Sequence, residues 1–433
     1  MKEYRENIQR IADYMRQGEK KERCFKVGVE FEHLIVYADT LKRVSYYGET
    51  GVESTLKELL IELNGKAIKE EDHLLGIQWE KGTVTLEPGA QFELSIDAAR
   101  DLKYIEKSYL AFLQKVVPIL KRKDQRLLSI GYQPKGSIQE VDFIPKKRYD
   151  FMADYLSKKD KHGLNMMKGT ASVQGVIDYI DEEDFIKKFQ VANYLIPHFA
   201  VLFDNTPVFE GKAVQGNIAR AQVWNHVDAD RSRVFPGTFD ADFGYEKYAA
   251  YMMEHPAVVS EMDGKVYQTR NQLIKEVFDG RKMTKSEIAH LVSMFFFDVR
   301  VKSYIEIRVC DSVPFPYNIS FAALIKGIFY DPKNLDHYYE QAKEATVDQI
   351  QEQKLHLIEN ESIPQTLLQE IAGLLQRAEK GLEEGEKEYL HKLQAFFQQE
   401  INFSKKIKEN IKNDDPAPFA ITDADQIVLN TNK

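Results

Sequence analysis

The sequence predicts an α+β protein whose core is a mostly antiparallel sheet flanked by helices. Segments that alternate apolar and polar residues are separated by irregular helical stretches, without the regular strand–helix repeat of a doubly wound sheet. The chain has 433 residues with an apolar fraction of 43%, enough to bury a sizeable core. After residue 334 the composition becomes rich in Glu, Lys and Gln with helical apolar spacing, which predicts a helical C-terminal region.

The individual elements follow from periodicity and from residues that end helices and strands. In the segment Lys26–Tyr37, apolar residues alternate with Gly28, Glu30 and Glu32, which predicts a half-buried strand. Further strands are predicted within 82–96, where Pro88-Gly89 separates two of them, and over 127–133, 170–179, 219–225 and 304–310. Helices are predicted over residues 1–17, 54–63, 98–123, 148–156, 181–202 and 285–297.

These elements divide into three regions. Residues 1–333 are expected to form a catalytic domain and residues 334–413 a helical region. Residues 414–433, with Asp414, Asp415, Pro416 and Pro418, are predicted to be a mobile tail. The oligomeric state is left open, because the helical region can pack within one chain or across a dimer.

Charge and hydropathy narrow the range of partners. The formal net charge of -9 gives no general attraction to nucleic acid or anionic lipid, so small-molecule substrates are expected. No apolar run approaches the roughly 18–20 residues that span a bilayer, and the N-terminus has no signal-type apolar centre. We therefore expect no membrane partner and a cytoplasmic location. Cys24 and Cys310 are too few for a disulfide framework, so both are expected to stay reduced.

Carboxylates recur on the polar faces of predicted strands. Glu30 and Glu32 share one face of a strand, Glu87 lies near Glu93, and Glu306 precedes Arg308 by two residues. Hard carboxylate oxygens are the ligands that Mg²⁺ prefers beside nucleotide phosphates. A solvated strand face is the more common explanation for any single pair of this kind. Several such strands weaken that explanation, and the polar positions Gly28, Glu30 and Glu32, like Gln91 and Glu93, include no basic residue, which favours a metal site.

A second group is cationic, aromatic and polar. Arginine binds carboxylate or phosphate through a planar fork, so arginines near an acidic site indicate an anionic substrate, although structural ion pairs explain any one of them equally well. The polar face of 166–174 can orient a ligand or can be an ordinary solvent face. The candidates for substrate or nucleotide contacts are Arg148, Tyr149, Met167, Thr170, Gln174, Arg220, Trp224, Arg231 and Arg308.

Other catalytic signatures are missing from the sequence. It contains no Walker A motif, no GxSxG elbow, no HExxH and no Gly-rich dinucleotide fingerprint. His33 lies on the opposite strand face from Glu32 and is expected to be packed rather than a ligand. The acidic and arginine-rich segments are therefore the ones that predict chemistry.

Seven segments, in order, resemble the plant-type glutamate-cysteine ligase family. They are VGVEFEHLIV (27–36), LEPGAQFELS (86–95), GYQPKG (131–136), PKKRYDFMADYL (145–156), LNMMKGTASVQ (164–174), RAQVWNHVDADR (220–231) and KSYIEIRVCDSVP (302–314). A chance match of seven ordered motifs is improbable. The resemblance covers residues 25–315 and implies a curved antiparallel sheet flanked by helices, related to glutamine synthetase and guanidino kinases.

The resemblance also implies a reaction and roles for residues. The family joins the side-chain carboxylate of glutamate to the amine of cysteine, with ATP as cosubstrate and two or three Mg²⁺ ions, in the biosynthesis of glutathione. Arg148 and Arg220 match positions that hold substrate carboxylate, Trp224 an aromatic wall, Arg308 a phosphate-facing position and Gln174 a metal- or nucleotide-facing one. The implied metal ligands are Glu30, Glu32, Glu87, Glu93 and Glu306, of which Glu93 and Glu306, with Arg308, are also the catalytic candidates.

The sequence departs from the family pattern at two points. Neither cysteine has a matching partner for the redox control of plant enzymes, so that control is expected to be absent. His226 replaces an acidic residue, leaving Asp228 as the matching acid. The runner-up function is a related carboxylate-amine ligase that uses another amine, amino acid or peptide. A silent scaffold would have lost glutamates that are present here, and a guanidino phosphotransferase would need no second amine.

Overall fold

A computed structural model describes residues 2–21, 24–262, 265–415 and 417–425. Its helices are α1 Lys2–Arg16, α2 Val52–Glu62, α3 Leu102–Lys121, α4 Lys147–Leu156, α5 Gly163–Gly169, α6 Glu182–Tyr194, α7 Ile196–Leu202, α8 Ala219–Asn225, α9 Tyr245–Met253, α10 Ile274–Val277, α11 Lys285–Ser293, α12 Tyr317–Phe329, α13 Pro332–Ala342, α14 Val347–Glu359, α15 Gln365–Lys380, α16 Lys387–Glu400 and α17 Phe403–Lys412. Among the described helices, none has both the length and the apolar character needed to cross a bilayer.

Most strands belong to one sheet. They are β1 Val27–Tyr37, β2 Lys66–Glu70, β3 His73–Trp79, β4 Gly82–Leu86, β5 Phe92–Ala99, β6 Gln125–Leu128, β7 Ser172–Ile177, β8 Val208–Phe209, β9 Lys212–Ala213, β10 Ser232–Arg233, β11 Pro256–Met262, β12 Lys265–Leu273, β13 Phe296–Phe297, β14 Val299–Val301 and β15 Ile305–Asp311.

Over the described residues, the main sheet has nine antiparallel strands, eight of them in the order β14-β15-β7-β1-β5-β4-β3-β2. The ninth, β6, pairs with the second half of β1. Helices α3 and α12 pack against this sheet. The predicted α+β class with a mostly antiparallel sheet is therefore confirmed.

The two faces of the sheet have different chemistry. On the α12 side, Gly175 of β7 leaves room for the helix, because a Cβ there would lie 2.6 Å from Ile325 and 2.7 Å from Phe321. Phe31 of β1 packs against Tyr109 of α3 with ring centroids 4.9 Å apart. The neighbouring residues Glu30 and Gln174, which are register partners on β1 and β7, face the opposite side.

The predicted half-buried strand is covered on both faces. Glu32 is only 7% exposed, and Gly28 on the same face is buried. The alternating pattern identified the two faces correctly, but it did not reveal that helices cover the polar one. A polar strand face that is shielded from solvent is typical of a ligand site.

Residues 219–225, predicted as a strand, form helix α8 instead. Ala, Arg and Gln in this segment are strong helix formers, and Ile218 before it adopts a left-handed conformation with φ 46°. The amide of Ile218 donates to Asp204 Oδ2 at 2.9 Å, which fixes the entry to the helix. The buried residues Ala219, Arg220 and Val223 have helical spacing, whereas Val223 and Asn225 alone alternate as in a strand.

Several boundaries also differ from the prediction. The predicted helix 181–202 is broken at Leu195, since Pro197 cannot donate a helical hydrogen bond. The predicted helix 285–297 ends at Ser293, and the predicted strand 127–133 overlaps β6 only at residues 127–128. Residues to which the sequence analysis assigned no element form the strands β2, β3, β8, β9, β11 and β12 and the helices α5 and α9.

The C-terminal region is helical, as predicted, and packs on the rest of the chain. One hydrophobic cluster includes both Ile325 and Leu374, so the division at residue 333 stays a prediction. The described part of the predicted tail is packed rather than detached, because Thr422 and Ala424 are fully buried and Ser129 donates to the Thr422 carbonyl at 2.9 Å. That part of the mobile-tail prediction is wrong, whereas residues 416 and 426–433 lie outside the described residues.

Candidate active site

A cavity of about 220 Å³ lies on the polar face of the main sheet. Strands β1, β5 and β7 form its floor, and α4, α5 and α8 supply side chains from above. The predicted site residues that line it are Glu30, Glu32, Glu87, Glu93, Arg148, Tyr149, Met167, Thr170, Gln174, Arg220, Trp224 and Arg308. The structure therefore brings together side chains that are up to 278 positions apart, from Glu30 to Arg308.

Strand register and one turn place four carboxylates in this cavity. Glu32 of β1 is the direct partner of Glu93 of β5, while Glu30 of β1 pairs with Gln174 of β7. Glu93 also accepts a hydrogen bond from Thr85 Oγ1 at 2.7 Å, which orients its carboxylate. Glu87 lies in the turn between β4 and β5 and completes the acidic wall.

Hydrogen bonds with Arg43 and Gln91 fix the turn that carries Glu87. Arg43 donates to the carbonyl oxygens of Gly89, at 2.6 Å, and Lys168, at 3.1 Å. Gly89 approaches the Lys168 carbonyl so closely that a Cβ would lie 2.5 Å from its oxygen. Gln91 binds the Gly89 amide at 2.8 Å and the Thr170 carbonyl at 2.9 Å. The turn is thus clamped to the segment that leads into β7.

The four carboxyl groups raise one another's pKa. Burial, together with Glu93 and Glu306, raises the pKa of Glu30 to about 8. Burial and Glu93 raise the pKa of Glu32 to about 7, and burial and Glu87 raise that of Glu93 to about 7. Burial and Glu32 raise the pKa of Glu87 as well. The cause is the same in each case: shielded like charges disfavour ionisation.

Polar side chains connect the acidic wall to the arginines. Glu32 accepts from the Ser172 amide at 2.7 Å and from Gln174 Nε2 at 2.8 Å. The amide oxygen of Gln174 in turn accepts a hydrogen bond from Arg308. Gln174 therefore bridges a carboxylate on β1 and a guanidinium on β15.

Glu306 is enclosed by cations. It accepts from Arg308 at 2.9 Å and from Lys302 at 3.1 Å, and it also pairs with Arg300. Although burial opposes ionisation, these three cations hold the pKa of Glu306 well below its usual value. Its predicted role as a metal ligand stays a prediction that requires a metal ion to displace cations. In this structure Glu306 positions Arg308.

Arg220 extends from α8 into the cavity. Its guanidinium donates to the carbonyl oxygen of Arg308 at 3.2 and 3.3 Å and lies 4.0 Å from Asp311. The ring centroid of Trp224 lies 5.7 Å from the Arg220 guanidinium and 5.8 Å from that of Arg308. The indole therefore packs beside two cations, which holds both side chains in place.

Four buried donors in this wall have no hydrogen-bond acceptor among the described residues. They are the Nε atoms of Arg148, Arg220 and Arg308 and the Nε1 atom of Trp224. Burying such groups without a partner is costly. Their arrangement opposite the carboxylates suits a ligand that brings its own acceptor oxygens.

The other predicted contacts form the apolar side of the cavity. Tyr149 and Met167 line it, and both are largely buried. Thr170 also lines it, but its hydroxyl donates to the Met166 carbonyl at 2.8 Å, which leaves mainly its methyl group for a ligand. This side accommodates a small, partly apolar group.

Arg231, predicted to bind ATP, has a structural role instead. It is fully buried, donates to Asp228 Oδ2 at 2.7 Å and also binds the carbonyl oxygens of Met294 and Pro256. Its hydrogen bonds are used within the protein, and it does not line the cavity. His226 pairs with Asp160 at 3.1 Å, and neither His226 nor Asp228 lines the cavity.

The sequence reasoning missed two cations of the site, Arg300 and Lys302. Both line the cavity and contact Glu306. Arg300 lies opposite Glu306 in the β14–β15 hairpin. The spacing of Arg300 and Lys302, two apart and just before the Glu306–Arg308 pair, was a signal for a second charged strand. Met152, Met166, Ser293 and Phe296 were also missed.

The chemistry of the acidic wall fits a divalent cation. Among the described residues, no group of three or more His, Cys, Asp or Glu side chains is already arranged around a metal position. The four crowded carboxylates nevertheless have raised pKa values, and a divalent ion would remove the repulsion that causes them.

Cys24 is exposed and Cys310 is buried on β15, and no disulfide joins them. Burial raises the pKa of the Cys310 thiol well above its usual value, which makes it a poor nucleophile. The expectation that redox control is absent stays a prediction.

Known proteins resemble this chain over most of its length. It is 28% identical over 343 residues to glutamate–cysteine ligase A, chloroplastic, of Oryza sativa subsp. indica, covering 78% of this chain and 69% of the relative. It is 28% identical over 333 residues to the chloroplastic glutamate–cysteine ligase of Arabidopsis thaliana, covering 75% and 63%. The chain thus spans about two thirds of the length of these relatives.

These relatives contradict the predicted cytoplasmic location, because the plant enzymes are chloroplastic by name. The prediction rested on the lack of an apolar N-terminal run. Such a run reports secretion or membrane insertion and does not distinguish cytoplasm from plastid.

A solved structure supports the fold. The glutamate–cysteine ligase of Francisella tularensis, determined in complex with AMP, superposes with a TM-score of 0.54 at 14% identity and covers 95% of this chain and 89% of that one. The sequence profile of glutamate-cysteine ligase family 2 matches residues 26–399, well beyond the seven motifs and into the C-terminal helices. The chain therefore belongs to glutamate-cysteine ligase family 2, a family of ligases.

Proposed function

We propose that this protein joins the γ-carboxylate of glutamate to the amine of cysteine, using ATP and Mg²⁺, through a γ-glutamyl phosphate. The observation that carries the proposal is the composition of one cavity. Four carboxylates with raised pKa values face arginines whose buried Nε donors have no acceptor among the described residues. The names of the plant relatives and the AMP complex of the bacterial structure are consistent with it.

The first step must make a carboxylate reactive. A carboxylate resists nucleophiles because it is negatively charged, and transfer of the γ-phosphoryl group of ATP converts it into an acyl phosphate with release of ADP. Glu30, Glu32, Glu87 and Glu93 would hold Mg²⁺, which screens phosphate charge when bound. Arg308, held in place by Gln174 and Glu306, would stabilise the negative charge that develops on the phosphoryl group during transfer.

We infer that the nucleotide binds in a groove beside the cavity. A groove of about 480 Å³ follows the same face of the sheet and shares Glu30 with the cavity. The small residues Gly28, Ser95 and Ala98 at the floor of the groove leave space for a ligand, and Lys20 and Lys26 also line the groove. We infer that the base and ribose lie in this groove and that the phosphates extend past Glu30 towards Arg308.

Glutamate would be oriented by the arginines. Arg220 is held by backbone carbonyls and by Trp224, so its position is set before the substrate arrives. Arg148 reaches the cavity from α4, with one terminal nitrogen 3.5 Å from Ser293 Oγ. These guanidinium groups would bind α-carboxylates and direct the side-chain carboxylate towards the phosphates.

In the second step the amine attacks the acyl carbon, the C–O bond to phosphate breaks, and the amine loses a proton. Met152, Met166, Met167, Tyr149 and Phe296 give the cavity an apolar side that suits the short side chain of cysteine. A pocket of this kind separates side chains that differ by one methylene by only about 1–3 kcal/mol. We therefore expect weaker ligation of 2-aminobutyrate and alanine.

The deciding experiment supplies purified protein with ATP, Mg²⁺, glutamate and a panel of amines, and follows phosphate release and product mass. The expected result is γ-glutamylcysteine with the highest kcat/KM. Glutamate labelled with ¹⁸O in its carboxylates should transfer label to phosphate. If cysteine reacts no better than water while a diamine or peptide is ligated, the acceptor is reassigned. If no amide forms with any amine, the ligase proposal fails.

A further inference from the structure

Lys354 of α14 is a buried cation that no role described above explains. Its side chain is 1% exposed, and its ammonium group pairs with the carboxylate of Asp298. Burying an ammonium group is costly unless it is paired, so this contact is a defined structural feature. It lies within the family match but far along the chain from the seven motifs.

Asp298 connects Lys354 to the cavity. It lies between β13 and β14, where its amide donates to the Arg233 carbonyl at 2.8 Å and its carbonyl accepts from the Arg308 amide at 2.9 Å. Phe296 and Arg300, two residues away on either side, both line the cavity. The backbone that holds Asp298 is therefore the backbone that holds one wall of the site.

Helix α14 also supports the segment that enters α8. The Asn217 amide donates to the Leu357 carbonyl at 2.9 Å, and its side chain donates to the Asn360 carbonyl at 2.7 Å. A Cβ at Gly216 would lie 1.8 Å from the Ile358 carbonyl oxygen, which shows how closely the two segments pack. The helix that carries Arg220 and Trp224 therefore starts against the end of α14.

Lys354 lies close to three side chains of the cavity, Arg220, Trp224 and Arg308. A void of about 10 Å³ is bordered by Lys354, Asp298, Arg220, Trp224 and Arg308. A void of this size holds at most one water molecule. Loss of the charge at Lys354 would therefore act directly on Arg220, Trp224 and Arg308, because there is no room for solvent to screen it.

We propose that Lys354 is a positioning residue of this ligase site, which neutralises Asp298 so that the guanidinium of Arg308 remains on Gln174 and Glu306. Without Lys354, Asp298 would be an unpaired buried carboxylate beside an arginine whose Nε has no acceptor among the described residues. Arg308 and the adjoining Trp224 would then move towards Asp298. Only the kinetic consequences of this proposal rest on the proposed function.

Trp224 offers a test that needs no substrate. The chain has two tryptophans, so a Trp79→Phe background leaves Trp224 as the sole indole reporter. Fluorescence emission and acrylamide quenching are compared for Lys354→Met, Lys354→Met/Asp298→Asn and Lys326→Met. The last is a matched control, because Lys326 also forms a shielded ion pair to the C-terminal region, with Glu386 at 2.6 Å, but does not line the cavity.

Lys354→Met is expected to shift Trp224 emission and change its quenching. The double variant should restore both, and Lys326→Met should leave both unchanged. In the ligase assay, Lys354→Met should lower kcat/KM by roughly tenfold or more, since small misplacements of positioning groups have effects of this size. Lys326→Met should lower only the melting temperature.

The proposal is overturned if Lys354→Met keeps wild-type emission, or if the double variant is as altered as the single one. If Lys354→Met does not fold, Lys354→Gln decides, because it also leaves the buried Asp298 carboxylate without a cation, so Trp224 emission should shift, and wild-type emission would overturn the proposal. If the wild-type protein forms no amide, the proposed function fails, while the fluorescence comparison still decides the role of Lys354.

Discussion

Glu32 of β1 and Glu93 of β5 lie directly opposite each other in neighbouring antiparallel strands, and both side chains line the same cavity. Side chains in such cross-strand pairs are close neighbours, and like charges there oppose each other. Burial and the Glu93 carboxylate raise the pKa of Glu32 to about 7. The sheet thus contains an electrostatic cost that a bound cation would remove.

The first prediction is that Glu93→Gln abolishes ligase turnover yet raises the melting temperature of the metal-free protein. Glutamine still accepts the hydrogen bond from Thr85 but removes one of two opposed charges, a relief of about 0.2–1 kcal/mol. Melting is measured in a chelator and turnover with Mg²⁺, and the exposed Glu80→Gln is the control. Near-wild-type turnover would remove Glu93 from the metal site.

The second prediction concerns pH. The pKa values of Glu30, about 8, and of Glu32 and Glu93, about 7, exceed the ordinary value of 4.5. Between these values the folded state holds protons that the unfolded state has released, so the free energy of unfolding of the metal-free protein should fall as pH rises from 4.5 to about 8.

Because Mg²⁺ binds ionised carboxylates, the increase in melting temperature that Mg²⁺ produces should be larger at about pH 8 than at about pH 6. Thermal melting with and without Mg²⁺ at the two pH values measures this. The same increment at both, or none at either, would count against a carboxylate metal site. Glu93→Gln should show a smaller increment than the wild type.

The acidic wall was predictable because it depends on a simple period. Residues two apart on a strand share a face, so Glu30 with Glu32 and Glu306 with Arg308 were placed correctly from spacing alone. That Glu30, Glu32 and Arg308 line one cavity was not predictable from spacing, because strand order places β15 next to β7 and β7 next to β1 across long stretches of sequence.

The failures have local causes. The sequence of residues 219–225 is compatible with a short strand and with a two-turn helix. The left-handed backbone of Ile218 and the hydrogen bond from its amide to Asp204, which fix the start of the helix, cannot be read from the sequence pattern. In the sequence, Arg231 could not be distinguished from Arg220 of the same motif, so both were predicted to contact a ligand. Its burial against Asp228 and two backbone carbonyls arises from tertiary packing that no periodicity records.

The third prediction is that Arg220→Ala raises the KM for glutamate much more than the KM for ATP. Loss of a charge-assisted pair in a shielded site costs about 2–4 kcal/mol, or tens to hundreds of fold in KM. Initial rates with each substrate varied in turn measure this. Arg220→Lys keeps the charge but loses the planar guanidinium fork, so its KM for glutamate should lie between those of the wild type and Arg220→Ala. Equal effects on both KM values would assign Arg220 to the nucleotide.

The fourth prediction tests the structural role of Arg231. Arg231→Met leaves Asp228 buried without its cation, which should lower the free energy of unfolding by about 3–5 kcal/mol. The surviving folded protein should keep the wild-type KM for ATP, because Arg231 does not line the cavity. Urea denaturation and ATP titration of the folded fraction separate the two effects. Arg231→Met/Asp228→Asn, which removes both charges, should recover much of the lost stability. An ATP KM that rises in a variant of wild-type stability would return Arg231 to the nucleotide site.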